Sequence, residues 1–245
     1  MKKFLLSAVY LLFSQLIYAQ LKTVKYKEGT QNLVGMVNTV SDKSLGAVLI
    51  LPAWMGIDQE AKDAALALQQ EGYFTFIADI YGEGNTPKTP SEAGKIASSY
   101  KSDYQAYQRR IMAAIQTFIA QGAPADKLVV MGYCFGGTGA LEVARAKFPV
   151  RAVVSIHGGL AKGDRKTGPF DTKILVLHGA DDANVPAEEV AAFTAEMKQY
   201  QTDWQFIIYA NAKHTFTNPA SKDYNAPMAK RAWQHFTLFL TEVFQ

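Results

Sequence analysis

Between Gly46 and Leu51 the chain reads GAVLIL, without one polar side chain. A strand with one wet face alternates apolar and polar residues. A run that is apolar throughout suits a strand buried on both faces. Tyr73 to Ala78, Lys127 to Met131, Val150 to Ile156, Lys173 to Leu177 and Gln205 to Tyr209 read as further strands. Helical segments separate them: Asp58 to Gln70, ended near Gly72; Ser98 to Ala120, stopped by Gly122-Ala123-Pro124; Thr138 to Lys147; and Ala187 to Tyr200. Met228 to Phe244 closes the chain with Met228, Trp233, Phe236, Leu240 and Val243 near one helical face. Such alternation predicts an α/β fold with a mostly parallel central sheet and helices on both faces. Thr23 to Lys27 and Leu33 to Val40 precede it as two strands joined around Glu28-Gly29-Thr30, and Asp79 to Ser91 reads as a loop rich in Gly and Pro.

The first residues follow another logic. Lys2 and Lys3 precede an apolar run, Phe4 to Ile17, and Tyr18-Ala19-Gln20 follows. This pattern predicts an export signal over residues 1–19 and a mature domain over residues 20–245, periplasmic or secreted. The run falls short of the ~20 residues a membrane span needs, so no stable membrane anchor is expected. A chain of 245 residues with 49% hydrophobic and 19% charged residues fits one soluble domain with a substantial core. No repeat, low-complexity tract or linker divides it. Two of the 25 basic side chains belong to the leader, so the mature chain sits near neutrality against 22 acidic ones. That balance makes no case for a nucleic-acid partner.

Chemistry is concentrated at Gly132-Tyr133-Cys134-Phe135-Gly136-Gly137, between an apolar strand and a helix. Gly-x-nucleophile-x-Gly in this setting is the pattern of a nucleophile elbow. The turn is sharp and strained, and glycines leave room for backbone to pass backbone. It lifts the nucleophile above the sheet and aims the start of the next helix at it, which favours thiolate over thiol. The N–H of Phe135 then faces a developing oxyanion. Cys134 is the single cysteine, so an internal disulfide is excluded.

A cysteine nucleophile needs a base, and the chain offers His157, His178, His214 and His235. His235 sits inside the last helix. His157 and His178 each end an apolar strand before a glycine, where they could bond to neighbouring backbone. His214 lies in a loop after the last strand, and the order nucleophile, acid, histidine favours it as the base. Asp181 and Asp182 follow the strand before it, and spacing does not choose between them. The second oxyanion donor should come from Pro52-Ala53-Trp54-Met55-Gly56, after the GAVLIL strand. No Cys/His cluster has metal-ligand spacing, and no metal or organic cofactor is expected.

GYCFGG, GADDANVP (Gly179 to Pro186), AKHTF (Ala212 to Phe216) and ADIYGEG (Ala78 to Gly84) together resemble the dienelactone hydrolase family, from about Gly46 to the C-terminus. The resemblance implies an α/β-hydrolase fold with Cys134 as nucleophile, His214 as base and Asp182 as acid. It further implies an oxyanion hole from the N–H groups of Trp54 and Phe135. Tyr81 matches a tyrosine at the pocket side, and Met55 and Phe216 are expected beside it at the substrate. The reaction implied is covalent hydrolysis of a small-molecule ester or lactone. Two positions depart from the pattern. Ala53 stands where dienelactone enzymes place a Glu that controls the resting thiol. Asn218 stands after the base where an Arg would hold a substrate carboxylate, and Gly84 to Lys101 contains no Arg. The first leaves activation of the thiol to His214 and the helix terminus, and the second argues against an anionic dienelactone as substrate.

Overall fold

The computed structural model describes residues 20–39 and 44–245. The expected export signal lies outside them, as does Val40 at the end of the second expected strand. An eight-stranded sheet runs through the molecule in the order β1-β2-β4-β3-β5-β6-β7-β8. The strands are β1 (Leu21–Glu28), β2 (Gln31–Asn38), β3 (Ala47–Leu51), β4 (Phe74–Ile77), β5 (Leu128–Tyr133), β6 (Ala152–Ile156), β7 (Lys173–Gly179) and β8 (Trp204–Tyr209). β1 and β2 form an antiparallel hairpin, and β2 pairs antiparallel with β4. From β4 through β8 every pairing is parallel. The sheet is thus the mostly parallel one the apolar runs predict.

The helices are α1 (Gln59–Gln70), α2 (Pro90–Ser102), α3 (Tyr104–Ala120), α4 (Phe135–Arg145), α5 (Ala187–Gln199) and α6 (Ala226–Phe244). They cover both faces. Along β3, Ala47, Leu49 and Leu51 enter one apolar core with Tyr107 and Phe118 of α3, Leu141 of α4 and Phe193 of α5. Val48 and Ile50 point the other way, into a second core with Ala61 and Leu68 of α1 and Phe236 and Leu240 of α6. This two-sided burial is why GAVLIL has no polar position.

One expected helix, Ser98 to Ala120, is two. The polypeptide bends at Asp103 (φ −102°, ψ 73°), which closes α2 and begins α3. Its carboxylate accepts the N–H of Ala106 at 2.9 Å, which stabilises a new helix start. The expected loop Asp79 to Ser91 also ends early. Thr89 caps α2 by accepting from Glu92 N–H at 3.2 Å, Pro90 follows at the first helical position, and Glu92 reaches back to Lys88 N–H at 2.8 Å. Among the described residues no helix is long and apolar enough to cross a membrane.

Candidate active site

Cys134, His157, Asp182 and His214 all lie just beyond the carboxyl ends of strands, after β5, β6, β7 and β8 respectively. That edge is where open parallel sheets build sites. The elbow holds Cys134 at φ 52°, a conformation costly for a residue with a Cβ. The backbone packs so tightly here that a Cβ on Gly132 would strike the Gly136 carbonyl, and one on Gly136 would strike that of Leu51. Only glycine lets β5 turn straight into α4.

His214 Nε2 lies 3.0 Å from Cys134 Sγ. His214 Nδ1 lies 2.9 Å from Asp182 Oδ2 and 3.1 Å from Oδ1. Asp182 Oδ1 also accepts the N–H of Asn184 at 2.9 Å. Neighbouring Asp181 is exposed and joins the loop through its own N–H to the Ala212 carbonyl. Burial alone would pull the His214 pKa down. Its hydrogen bonds to Asp182 and Cys134 outweigh burial and lift it to about 9. Burial opposes the Asp182 charge, but the His214 hydrogen bond and charge hold this carboxyl below its usual range. The arrangement favours an ion pair in which the imidazole holds the proton.

Cys134 and His214 border a cavity of about 480 Å³, lined also by Trp54, Met55, Phe135, Lys101 and Asn218, while Asp182 is buried behind His214. Among the described residues, the N–H groups of Trp54 and Phe135 donate to no protein acceptor. Buried tyrosines hold the carbonyls of the same two residues. Tyr81 donates to Trp54 O at 2.8 Å and Tyr107 to Phe135 O at 2.9 Å, with the Tyr107 and Phe135 rings stacked 4.5 Å apart.

Two expected substrate contacts are corrected. Phe216 is fully buried against Tyr209 and His157 in the α1–α6 core and does not line the cavity. Its two neighbours in sequence, Thr215 and Thr217, take the polar sides of that loop. Tyr81 is likewise buried, its ring on Phe135, and serves the wall rather than the cavity. Met55 does line the cavity, as do Ala53 and Asn218. Lys101 is the lining cation a search for Arg misses; its ammonium lies near Gly159. Of the other histidines, His178 lies edge-on to Phe206 and His235 Nδ1 bonds to the Tyr209 hydroxyl at 2.8 Å. His157 is buried beside the elbow, and Glu60 of α1, unmarked by any motif, reaches the same cavity. Among the described residues no three His, Cys, Asp or Glu side chains gather as metal ligands.

The model of the dienelactone hydrolase family matches residues 33–244. A Bradyrhizobium protein named "Probable 2-oxo-3-(5-oxofuran-2-ylidene)propanoate lactonase" is 29% identical over 225 residues, covering 86% of this chain and 90% of its own length. The crystal structure of a dienelactone hydrolase-like promiscuous phosphotriesterase from metagenomic libraries superposes with a TM-score of 0.86 at 29% identity, over 92% of this chain and 99% of the other. A dienelactone hydrolase from Anabaena variabilis shares the fold at 21% identity and a TM-score of 0.63, over 91% of this chain and 98% of its own. The family match spans nearly the whole described sheet and the four motifs above it, and the chain therefore belongs to the dienelactone hydrolase family and is a hydrolase.

Proposed function

We propose that this protein hydrolyses a small-molecule ester or lactone through a thioester on Cys134, with His214 as base and Asp182 as its partner. The observation that carries the reading is the unbroken run from Cys134 Sγ to His214 Nε2 at 3.0 Å and from His214 Nδ1 to Asp182 at 2.9 Å. An ordinary thiol is only slightly ionised at neutral pH, so a neighbouring base is needed to make the nucleophile. The thiolate adds to the carbonyl carbon, and the carbonyl electron pair moves onto oxygen. That oxyanion takes hydrogen bonds from the N–H groups of Trp54 and Phe135. Collapse breaks the bond to the alcohol oxygen, which takes the proton from His214 Nε2. His214 then accepts a proton from water as it attacks the thioester. The second collapse releases the acid and restores the thiolate. Asp182 keeps the imidazole oriented and stabilises its cationic form in both halves.

The basic, apolar start of the sequence supports the further proposal that the enzyme works after export, in the periplasm or outside the cell.

The test is p-nitrophenol release from short- and medium-chain p-nitrophenyl esters. Cys134→Ala and His214→Ala should abolish turnover, and Asp182→Asn should lower kcat by roughly 10³-fold or more. Wild-type release that persists in Cys134→Ala would sink the thiol mechanism.

A further inference from the structure

Behind the Cys134–His214 pair runs a second line of polar side chains that hydrolysis itself does not use. His157 directly follows β6 with φ 40°, which turns its ring toward the elbow. Its Nδ1 accepts the N–H of Cys134 at 3.2 Å, an amide shared with the Ile156 carbonyl at 3.0 Å. A nitrogen that accepts carries no proton, so the neutral ring holds its hydrogen on Nε2. Nε2 therefore donates to Thr217 Oγ1 at 2.8 Å, and the Thr217 hydroxyl donates to Glu60 Oε1 at 2.6 Å. Every direction in the chain follows from the first bond.

The two ends of the chain are buried and Thr217 between them is half-buried. His157 is 1% exposed and Glu60 9%. Burial, with nearby His214, pulls the His157 pKa down to about 3, which agrees with a neutral ring. The chain also joins parts of the fold that carry different catalytic groups. Glu60 belongs to α1. Thr217 lies three residues beyond His214 in one loop, and the His157 and His214 rings are 5.3 Å apart. His157 touches the nucleophile's own amide.

We propose that Glu60, Thr217 and His157 form a positioning relay that locks the loop bearing His214 to the elbow bearing Cys134. No proton moves along it. The relay rests on the reading of Cys134 and His214 given above, and it acts by keeping Nε2 within bonding distance of Sγ.

Two readouts separate the relay from that reading: alkylation of Cys134 by iodoacetamide at pH 7, followed by intact mass, and kcat and KM on p-nitrophenyl acetate. Thr217→Val keeps the shape and removes the hydroxyl. It should slow alkylation and lower kcat roughly tenfold with KM nearly unchanged, as befits the loss of both part-buried hydrogen bonds of that hydroxyl. Thr217→Ser returns the hydroxyl and should recover most of both rates. Glu60→Leu removes the far end of the chain without leaving a buried charge. It should match Thr217→Val, and it carries the test if Thr217→Val fails to fold. Wild-type alkylation in Thr217→Val or Glu60→Leu would overturn the relay. So would a Thr217→Ser variant as slow as Thr217→Val, because packing and not the hydroxyl would then be responsible. His214→Ala is the control: if it alkylates at the wild-type rate, the base assignment fails, and the relay built on it fails too. If the wild type alkylates quickly under His214 control yet releases no p-nitrophenol, the ester reading alone falls and the alkylation rates still decide the relay.

Discussion

At the residue scale, the site depends on backbone held where it would not rest alone. Cys134 sits at positive φ and His157 does too, and each donates its N–H to a carbonyl of the strand beside it. The N–H groups proposed for the oxyanion hole are aimed by groups that never touch the substrate. Tyr107 is the clearest case. It is fully buried, its ring lies parallel to Phe135 and its hydroxyl holds the Phe135 carbonyl. Tyr107→Phe keeps the stack and removes the side-chain hydrogen bond to that carbonyl. The expected cost is about 1–2 kcal/mol in urea unfolding, together with a fall in kcat larger than any change in KM.

At the element scale, the segment between β6 and β7 is pinned to α4 and α5 by a buried ionic cluster. Glu142 of α4 accepts from the two terminal guanidinium nitrogens of Arg165 at 2.6 Å and from one of Arg145 at 3.2 Å. Arg145 also reaches Glu196 of α5 at 3.0 Å and the Leu160 carbonyl at 2.7 Å. The side chains of Glu142, Arg145 and Glu196 are almost completely buried. Glu142→Ala would leave two arginines short of a counter-charge, one of them deeply buried. Destabilisation of about 3–5 kcal/mol is expected in denaturant titration. Burial opposes the Glu142 charge, but the Arg165 and Arg145 contacts hold its pKa below the usual 4.5. A carboxyl depressed in the folded state stabilises above pH 4.5, and that contribution is lost as pH falls through the folded value. The variant should therefore lose part of the wild type's acid sensitivity.

At the scale of the whole molecule, the α1–α6 face meets the elbow through groups whose proton affinities folding pushes in opposite directions. Burial raises the Glu60 pKa from 4.5 to about 7, despite the Thr217 hydrogen bond, with Asp58 adding to the rise. Burial drops His157 from 6.5 to about 3. Between pH 4.5 and 6.5 the unfolded chain holds one more proton than the folded chain at His157 and one fewer at Glu60. The first makes stability rise with pH and the second makes it fall, so the two cancel in this window. Glu60→Gln removes the falling part. Stability of that variant should climb with pH from 4.5 to 6.5 more steeply than the wild type, by roughly 1.4 kcal/mol per pH unit. Equal slopes in urea titrations across that window would show that Glu60 is charged in the folded protein.

The sequence by itself determined the layered sheet, because a strand covered on both faces must be apolar at every position, and GAVLIL says so locally. It determined the elbow, because Gly132 and Gly136 meet backbone that no side chain can share. The order of motifs singled out His214 among four histidines, and family resemblance chose Asp182 over Asp181. Only the tertiary structure decided what depends on contacts between distant segments. The break at Asp103 was masked by helix-forming residues on both sides, although Thr89-Pro90-Ser91-Glu92 marked the earlier start of α2. Phe216 went to the core and Lys101 to the cavity because neighbouring residues in a tight loop or helix point to different sides. Glu60, Thr217 and His157 lie far apart in the sequence, and no local pattern marks them. They become one chain of hydrogen bonds only when α1, the loop after β8 and the end of β6 are packed together, since buried polar groups are stabilised by pairing with one another.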